Sequence, residues 1–238
     1  MKKRISSIRL TVWFFILFGL FLLLTFAIPE TKLDSAVLTL FSVNSFLYGF
    51  YVSPIINYQK SRIEELHKLV RAETNSLYEI ALSFKSFKPN KKEEYKKLLA
   101  DYIKNLSSKK YKKAEDEYEA LITKSLDSKD KDDSDDKIFS KLIANQQNRT
   151  LINMWLNSAV YSNEWLIILV LFSVTVGFIL VIEKPDIILI NIITALICSG
   201  LSLLIITLYK YSNLTHKKAK SIWQSAIELK GSRYHRIF

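Results

Sequence analysis

The chain has 238 residues, 49% of them hydrophobic and 24% charged, with 34 Lys and Arg against 23 Asp and Glu for a formal net charge of +11. Such an excess invites a nucleic-acid reading, but the basic residues cluster beside long apolar runs, where orientation in a membrane and attraction to anionic lipid account for them. The single cysteine, Cys198, excludes disulfides within the chain and a cysteine-rich metal site.

Four runs, residues 10–28, 35–56, 165–182 and 187–209, contain no Asp, Glu, Lys or Arg. Each is close to the ~20 residues that cross a ~30 Å hydrocarbon core at about 1.5 Å rise per residue. They predict four transmembrane helices. The first run follows a basic start, but it exceeds a signal-peptide core and no small-x-small cleavage site precedes Pro29, so it is expected to remain as a helix.

Orientation follows from the flanks. Lys2, Lys3, Arg4 and Arg9 precede the first run, Lys60, Arg62, Lys68 and Arg71 follow the second, and Lys210, Lys217, Lys218 and Lys220 follow the fourth. The two short turns hold one lysine each, Lys32 and Lys184. The positive-inside rule then puts both termini and the long central segment in the cytoplasm. The expected fold is an all-α membrane protein of two transmembrane hairpins, residues 1–56 and 164–209, with a cytoplasmic helical insertion at 57–163 and a basic tail at 210–238.

Ile63, Leu66, Val70, Glu73, Leu77, Ile80, Phe84 and Phe87 follow a 3-4 spacing that continues from the second span, a heptad seam with one charged member. Pro89 interrupts the helix and Asn90 is the expected cap of a second one, with Glu93 at its third position. That region runs from Lys91 to about Leu126, with an apolar face of Tyr95, Leu98, Leu99, Tyr102, Ile103 and Leu106, a kink at Ser107 and Ser108, and then Tyr111, Ala114, Tyr118, Leu121 and Ile122.

Asp127 to Asp136 reads DSKDKDDSDD, an acidic linker. It lacks the glycine and terminal glutamate of an EF-hand loop, and like charges without apolar residues form no core. A second seam, Ile138, Leu142, Asn145, Arg149, Ile152, Leu156 and Ala159, runs toward the third span. Glu73 and Arg149 fall at matching helical distances from the second and third spans. The expectation is a Glu73–Arg149 ion pair, completed by Asn145, that sets register, against the alternative that either side chain snorkels to solvent.

The spans carry no ionisable residue, which argues against a pump or proton-coupled transporter. Polar stripes remain: Ser42, Ser45, Gly49 and Ser53 on one face of the second span, Asn44, Tyr48 and Tyr51 on another, and Asn191, Ala195, Cys198 or Ser199, and Ser202 in the fourth. Ser173 and Gly177 form a further small-residue pair. These stripes serve helix packing, or Asn44, Tyr48, Asn191 and Ser202 line a water-filled path in an oligomer, with Lys60 and Arg62 as an anion-attracting vestibule. In the tail, Ile222, Trp223, Ala226 and Ile227 share one side of a short helix that lies either at the lipid interface or on the cytoplasmic helices.

The cytoplasmic extension RIEELHKLVRAETNSLYEI and the approach NQQNRTLINMWLNSAVYSNEW, with Glu73, Arg149 and Trp165 as their marked positions, resemble the bacterial bestrophin-like membrane family over most of residues 35–209. The resemblance implies four transmembrane helices, a cytoplasmic helical bundle, the bacterial inner membrane, and kinship with pentameric anion channels. The acidic calcium clasp of true bestrophins and their neck of phenylalanines are not found here.

Enzymatic motifs are missing: His67, His216 and His235 have no metal-ligand spacing, GSR at Gly231 is no phosphate loop, and no G-x-S-x-G elbow occurs. No cofactor is implied. Two functions fit: an oligomeric channel-like protein passing small anions, or a non-conducting membrane-anchored scaffold or sensor acting through its cytoplasmic helices.

Overall fold

The computed structural model describes residues 8–108, 111–126, 133–185 and 187–231. Among these the regular elements are helices: α1 (Leu10–Ala27), α2 (Ser35–Ser83), α3 (Pro89–Ser107), α4 (Tyr111–Leu126), α5 (Asp133–Asn157), α6 (Ser162–Val181), α7 (Ile188–Ser212), α8 (Lys217–Lys220) and α9 (Gln224–Gly231). Four are long and apolar enough to cross a membrane: α1, the first half of α2, α6 and α7. The chain divides into two compact units, Met1–Ser61 with Ala159–Ala219, and Arg62–Ser158 with Lys220–Phe238.

In the first unit α1 packs along α7, and Phe21, Val176, Leu180, Ala195 and Cys198 fill one cluster between helices. A second cluster joins Tyr48, Val52, Val160, Ile168 and Leu208. The large side chains facing outward are apolar, among them Phe15, Leu23, Phe46, Phe50, Leu166 and Ile188, the pattern of a surface solvated by lipid rather than water. The turns between spans are tied together. Thr31 N–H donates to Val181 O at 2.8 Å, Glu183 N–H donates to Thr31 O at 3.1 Å, and Lys184 N–H donates to Glu30 Oε2 at 3.1 Å.

Helix α2 is 49 residues long and contains Pro54. The proline removes one backbone donor, yet the helix continues unbroken into the seam of the second unit. There Ile63, Leu66, Val70, Glu73, Leu77, Ile80, Phe84 and Phe87 are all buried. Phe84 and Phe87 stack at 6.0 Å between centroids, and both meet Tyr95 of α3, at 5.5 and 5.1 Å.

Four details differ from the sequence reading. Helix α3 starts two residues earlier than a cap at Asn90 would allow: Pro89 is its first residue and Lys88 its cap, because proline's fixed φ and missing N–H suit the first helical position. The kink at Ser107 and Ser108 is a full reversal. Asn105 bonds Glu117 at 2.6 Å, and Glu94 near the start of α3 pairs with Lys124 near the end of α4, so the two helices run antiparallel and bury Tyr95, Leu99, Tyr102, Tyr118 and Leu121. Residues 127–132 of the acidic run lie outside the described residues, but Asp133–Asp136 form the first turn of α5 rather than a linker. Asp135 there is buried against Lys91 at 2.5 Å, the ammonium lying 4.8 Å from the centre of the Phe87 ring.

The fourth difference concerns the second seam. Ile138, Leu142, Asn145, Arg149 and Ile152 are buried, Leu156 is partly so and Ala159 is exposed, because α5 stops at Asn157 and α6 starts afresh at Ser162. Arg62 explains the stop. Its side chain is buried, and Nε and Nη2 donate to the carbonyls of Trp155 and Leu156, each at 2.6 Å. In a continuous helix those carbonyls would accept from the amides of residues 159 and 160. The amide of Val160 donates instead to Ser212 Oγ at 3.1 Å, and Glu164 accepts from the Tyr161 amide at 2.9 Å to open α6. Arg62 is therefore a buried C-cap, a cation at the negative end of a helix, and not a vestibule residue; Lys60 is exposed.

Replacing Arg62 by Leu removes the charged donor from two buried carbonyls and is expected to destabilise the helical unit by about 3 kcal/mol. Thermal unfolding in mild detergent, followed by far-ultraviolet circular dichroism, should show a lowered midpoint for Arg62→Leu and an unchanged one for Lys60→Gln.

Candidate functional site: a buried carboxyl, tyrosine and guanidinium cluster

Within the second unit four helices bring ionisable side chains into one buried place. Glu73 comes from α2, Tyr102 from α3, Glu115 and Tyr118 from α4, and Asn145, Gln146 and Arg149 from α5. Each of Glu73, Tyr102, Tyr118, Asn145 and Arg149 is at most 4% exposed. They arrive there because each occupies a seam position of its helix, where an apolar residue would otherwise sit.

The contacts are specific. The Tyr102 hydroxyl donates to Glu73 Oε1. Arg149 Nη2 pairs with Glu115 Oε2 at 2.7 Å, and Nη1 donates to Gln146 Oε1 at 2.7 Å. The guanidinium lies 3.7 Å above the centre of the Tyr118 ring and 5.5 Å from that of Tyr102. Arginine stacks readily on aromatic faces because its cation is weakly hydrated. Tyr118 donates to Leu142 O at 2.9 Å and accepts from Asn145 Nδ2 at 3.1 Å. A cavity of about 20 Å³ adjoins Glu73, Tyr102, Glu115, Arg149 and Trp223, room for about one water molecule.

Glu73 and Arg149 thus reach the same cluster, but not as the expected ion pair. The carboxyl takes the Tyr102 hydroxyl and the guanidinium stacks on the Tyr118 ring instead. Arg149 satisfies its charge with Glu115, whose side chain is 36% exposed, so that carboxylate keeps much of its hydration. Asn145 serves Tyr118 rather than the charges. The tyrosines were read in the sequence as members of apolar faces; the available signal was that a buried tyrosine hydroxyl needs a partner.

Burial pushes the Glu73 carboxyl up to about 7, despite the Tyr102 hydrogen bond and the Arg149 charge, both of which favour the ionised form; the charge of Glu115 adds to the rise. Burial likewise raises Tyr118 to about 12 and Tyr102 far above the ordinary phenol range. The cluster therefore holds one group that titrates near neutrality.

Of the four span residues expected to line a path, Asn44 and Tyr48 bond neighbouring helices. Asn44 Nδ2 donates from α2 to Leu171 O at 3.1 Å and Thr175 Oγ1 at 2.8 Å on α6. The Tyr48 hydroxyl donates to Leu201 O of α7 at 3.1 Å. Ser202 donates to Cys198 O of its own helix at 2.8 Å, and Asn191 is buried on α7. Among the described residues no three His, Cys, Asp or Glu side chains converge to hold a metal ion. In the tail, Ile222, Trp223 and Ala226 are buried and Ile227 is exposed, and α9 packs on α3. Compared with known protein families, curated proteins and solved structures, the chain matches none.

Because the folded carboxyl of Glu73 holds its proton to about pH 7 while an unfolded one releases it near 4.5, this group's contribution to stability is complete below about pH 4.5 and is lost as pH rises through 7, an amplitude of roughly 3 kcal/mol. Denaturant titrations across this range should show wild type losing stability toward alkaline pH. Glu73→Gln, which keeps an acceptor for Tyr102 without a charge, is expected to lack that component and to exceed wild type above pH 7.

Proposed function

We propose that this chain is a multi-pass membrane protein whose helical unit acts as a proton-responsive sensor, with the four spans serving as its anchor. The observation that carries the reading is the placement of Glu73: buried, bonded to a tyrosine while Arg149 pairs with Glu115, on the same unbroken helix as the second span. A carboxyl so placed changes charge near neutral pH, and in a packed core such a change shifts the balance between two arrangements. The polar span residues support the anchoring part, since Asn44 and Tyr48 bond neighbouring helices. In this reading the protein lies in a bacterial inner membrane with both termini and the helical unit in the cytoplasm, and its basic flanks meet anionic lipid.

A second reading, a homo-oligomeric channel-like protein of bestrophin-like kind passing small anions, is favoured by one observation. Ser42, Gly49 and Ser53 of α2 are exposed, and a methyl group on Gly49 would meet nothing within 4 Å. Small residues of this spacing let a helix from another copy approach closely.

Hydrogen exchange of the full chain in nanodiscs, between about pH 5.5 and 8.5, tests the first reading after correction for intrinsic exchange. Protection in segments around Glu73, Tyr102 and Trp223 is expected to fall with a midpoint near 7 in wild type and to stay constant in Glu73→Gln. Equal profiles in both proteins refute the sensor. Chloride flux from proteoliposomes that drops in Asn44→Leu or Asn191→Leu, with an oligomeric mass in detergent, would establish the channel instead.

A further inference from the structure

A second cavity in the helical unit is unused by the cluster. It is a groove of about 670 Å³ between α2 and the C-terminal segment, within the range of small-molecule sites. Along α2, His67, Arg71 and Asn75 follow one another at intervals of four residues and line it with Lys68; Ser221, Gln224, Ser225 and Glu228 form the facing wall, and Ile222 and Ala72 give it a small apolar floor.

Its charge is asymmetric. Lys68 and Arg71 are cations, while Glu228 is the sole carboxylate among the described residues lining it, already accepting from Gln224 Nε2 at 3.0 Å. Lys68 contacts Glu65 at 2.6 Å, a solvent-exposed pair three residues apart, which costs little to exchange for another anion. The groove reaches the first turn of α9, where a helix N-terminus favours negative charge. A guanidinium, an ammonium and two serine hydroxyls are donors that a tetrahedral phosphoryl group, with its several acceptor oxygens, takes together.

We infer that this groove is a binding site for a phosphate monoester, either a soluble phosphorylated compound or the headgroup of an anionic lipid. The volume exceeds that of the phosphoryl group alone, leaving room for the polar body that carries it. The site goes beyond the sensor reading and does not depend on it, since neither Glu73 nor Arg149 lines the groove. The two cavities share one structural wall: Ser221 and Ile222 line the groove and Trp223 lines the cluster cavity. Occupancy is thus expected to alter the environment of Trp223.

The test uses the full chain. Glycerol 3-phosphate is titrated against protein in uncharged detergent, with binding read by calorimetry and by tryptophan emission. Nanodiscs of phosphatidylcholine with and without phosphatidic acid form the second arm, read by emission and by lipid co-purification. The double substitution Lys68→Gln with Arg71→Gln is compared with Lys60→Gln, a neighbouring exposed cation outside the groove, and unchanged melting midpoints verify folding. Saturable glycerol 3-phosphate binding weakened about tenfold or more by the double substitution, and untouched by Lys60→Gln, supports a soluble ligand. A response to phosphatidic acid alone, lost in the double variant, supports a lipid headgroup. Absence of both responses, or responses equal in wild type and double variant, overturns the site. Binding that persists in Glu73→Gln separates this result from the fate of the sensor reading.

Discussion

A carboxyl and a guanidinium cannot be taken out of water without partners, and the helical unit is organised around that requirement. Glu73 and Arg149 sit at seam positions of α2 and α5, so packing these helices drives both inward. Two further helices supply what they need. Tyr102 of α3 offers a hydroxyl to the carboxyl, while α4 offers Tyr118 as a flat surface for the guanidinium and Glu115 as its counter-charge. The antiparallel arrangement of α3 and α4 is what puts both tyrosines in the same layer, their rings 5.1 Å apart. Any register shift would strand at least one buried polar group, so the cluster specifies the alignment of four helices as well as holding a titratable site.

The same accounting explains how the apolar unit holds together. Helices in lipid gain little from apolar burial against each other, so small side chains and a few hydrogen bonds decide the contacts. Asn44 and Tyr48 each reach a neighbouring helix backbone, and the amide of Val160 finds Ser212 Oγ. Asn44 and Tyr48, polar positions in an apolar run, serve as joints between helices. Arg62 belongs to the same logic from the other side: by taking the last carbonyls of α5 it ends one helix where the amphipathic pattern alone would have continued it.

Several features were legible without coordinates because their causes are local or periodic. Absence of charge over about 20 residues dictates helices able to cross a bilayer, since backbone groups in hydrocarbon must bond internally. The 3-4 spacing from Ile63 to Phe87 dictates which face of α2 and of the turn after it is buried, and all eight positions are. The seam spacing also places Glu73 and Arg149 on the inward faces of their helices, and both are buried. Their actual partners do not follow from it, because Tyr102 and Tyr118 belong to helices separated from both in sequence and look like ordinary apolar-face residues until a hydroxyl must be satisfied.

By itself, then, the sequence determined helix type, the four apolar segments and the inward faces, properties set by composition and period. Only the tertiary structure decided that residues 107 and 108 mark a reversal rather than a kink, that Asp135 is buried against Lys91, that Arg62 caps a helix, and that Arg149 turns to Glu115. Each of those outcomes depends on which distant group arrives within hydrogen-bonding reach, and desolvation makes that arrival decisive: a polar side chain in the interior takes the partner that packing supplies, whatever its own helix would suggest.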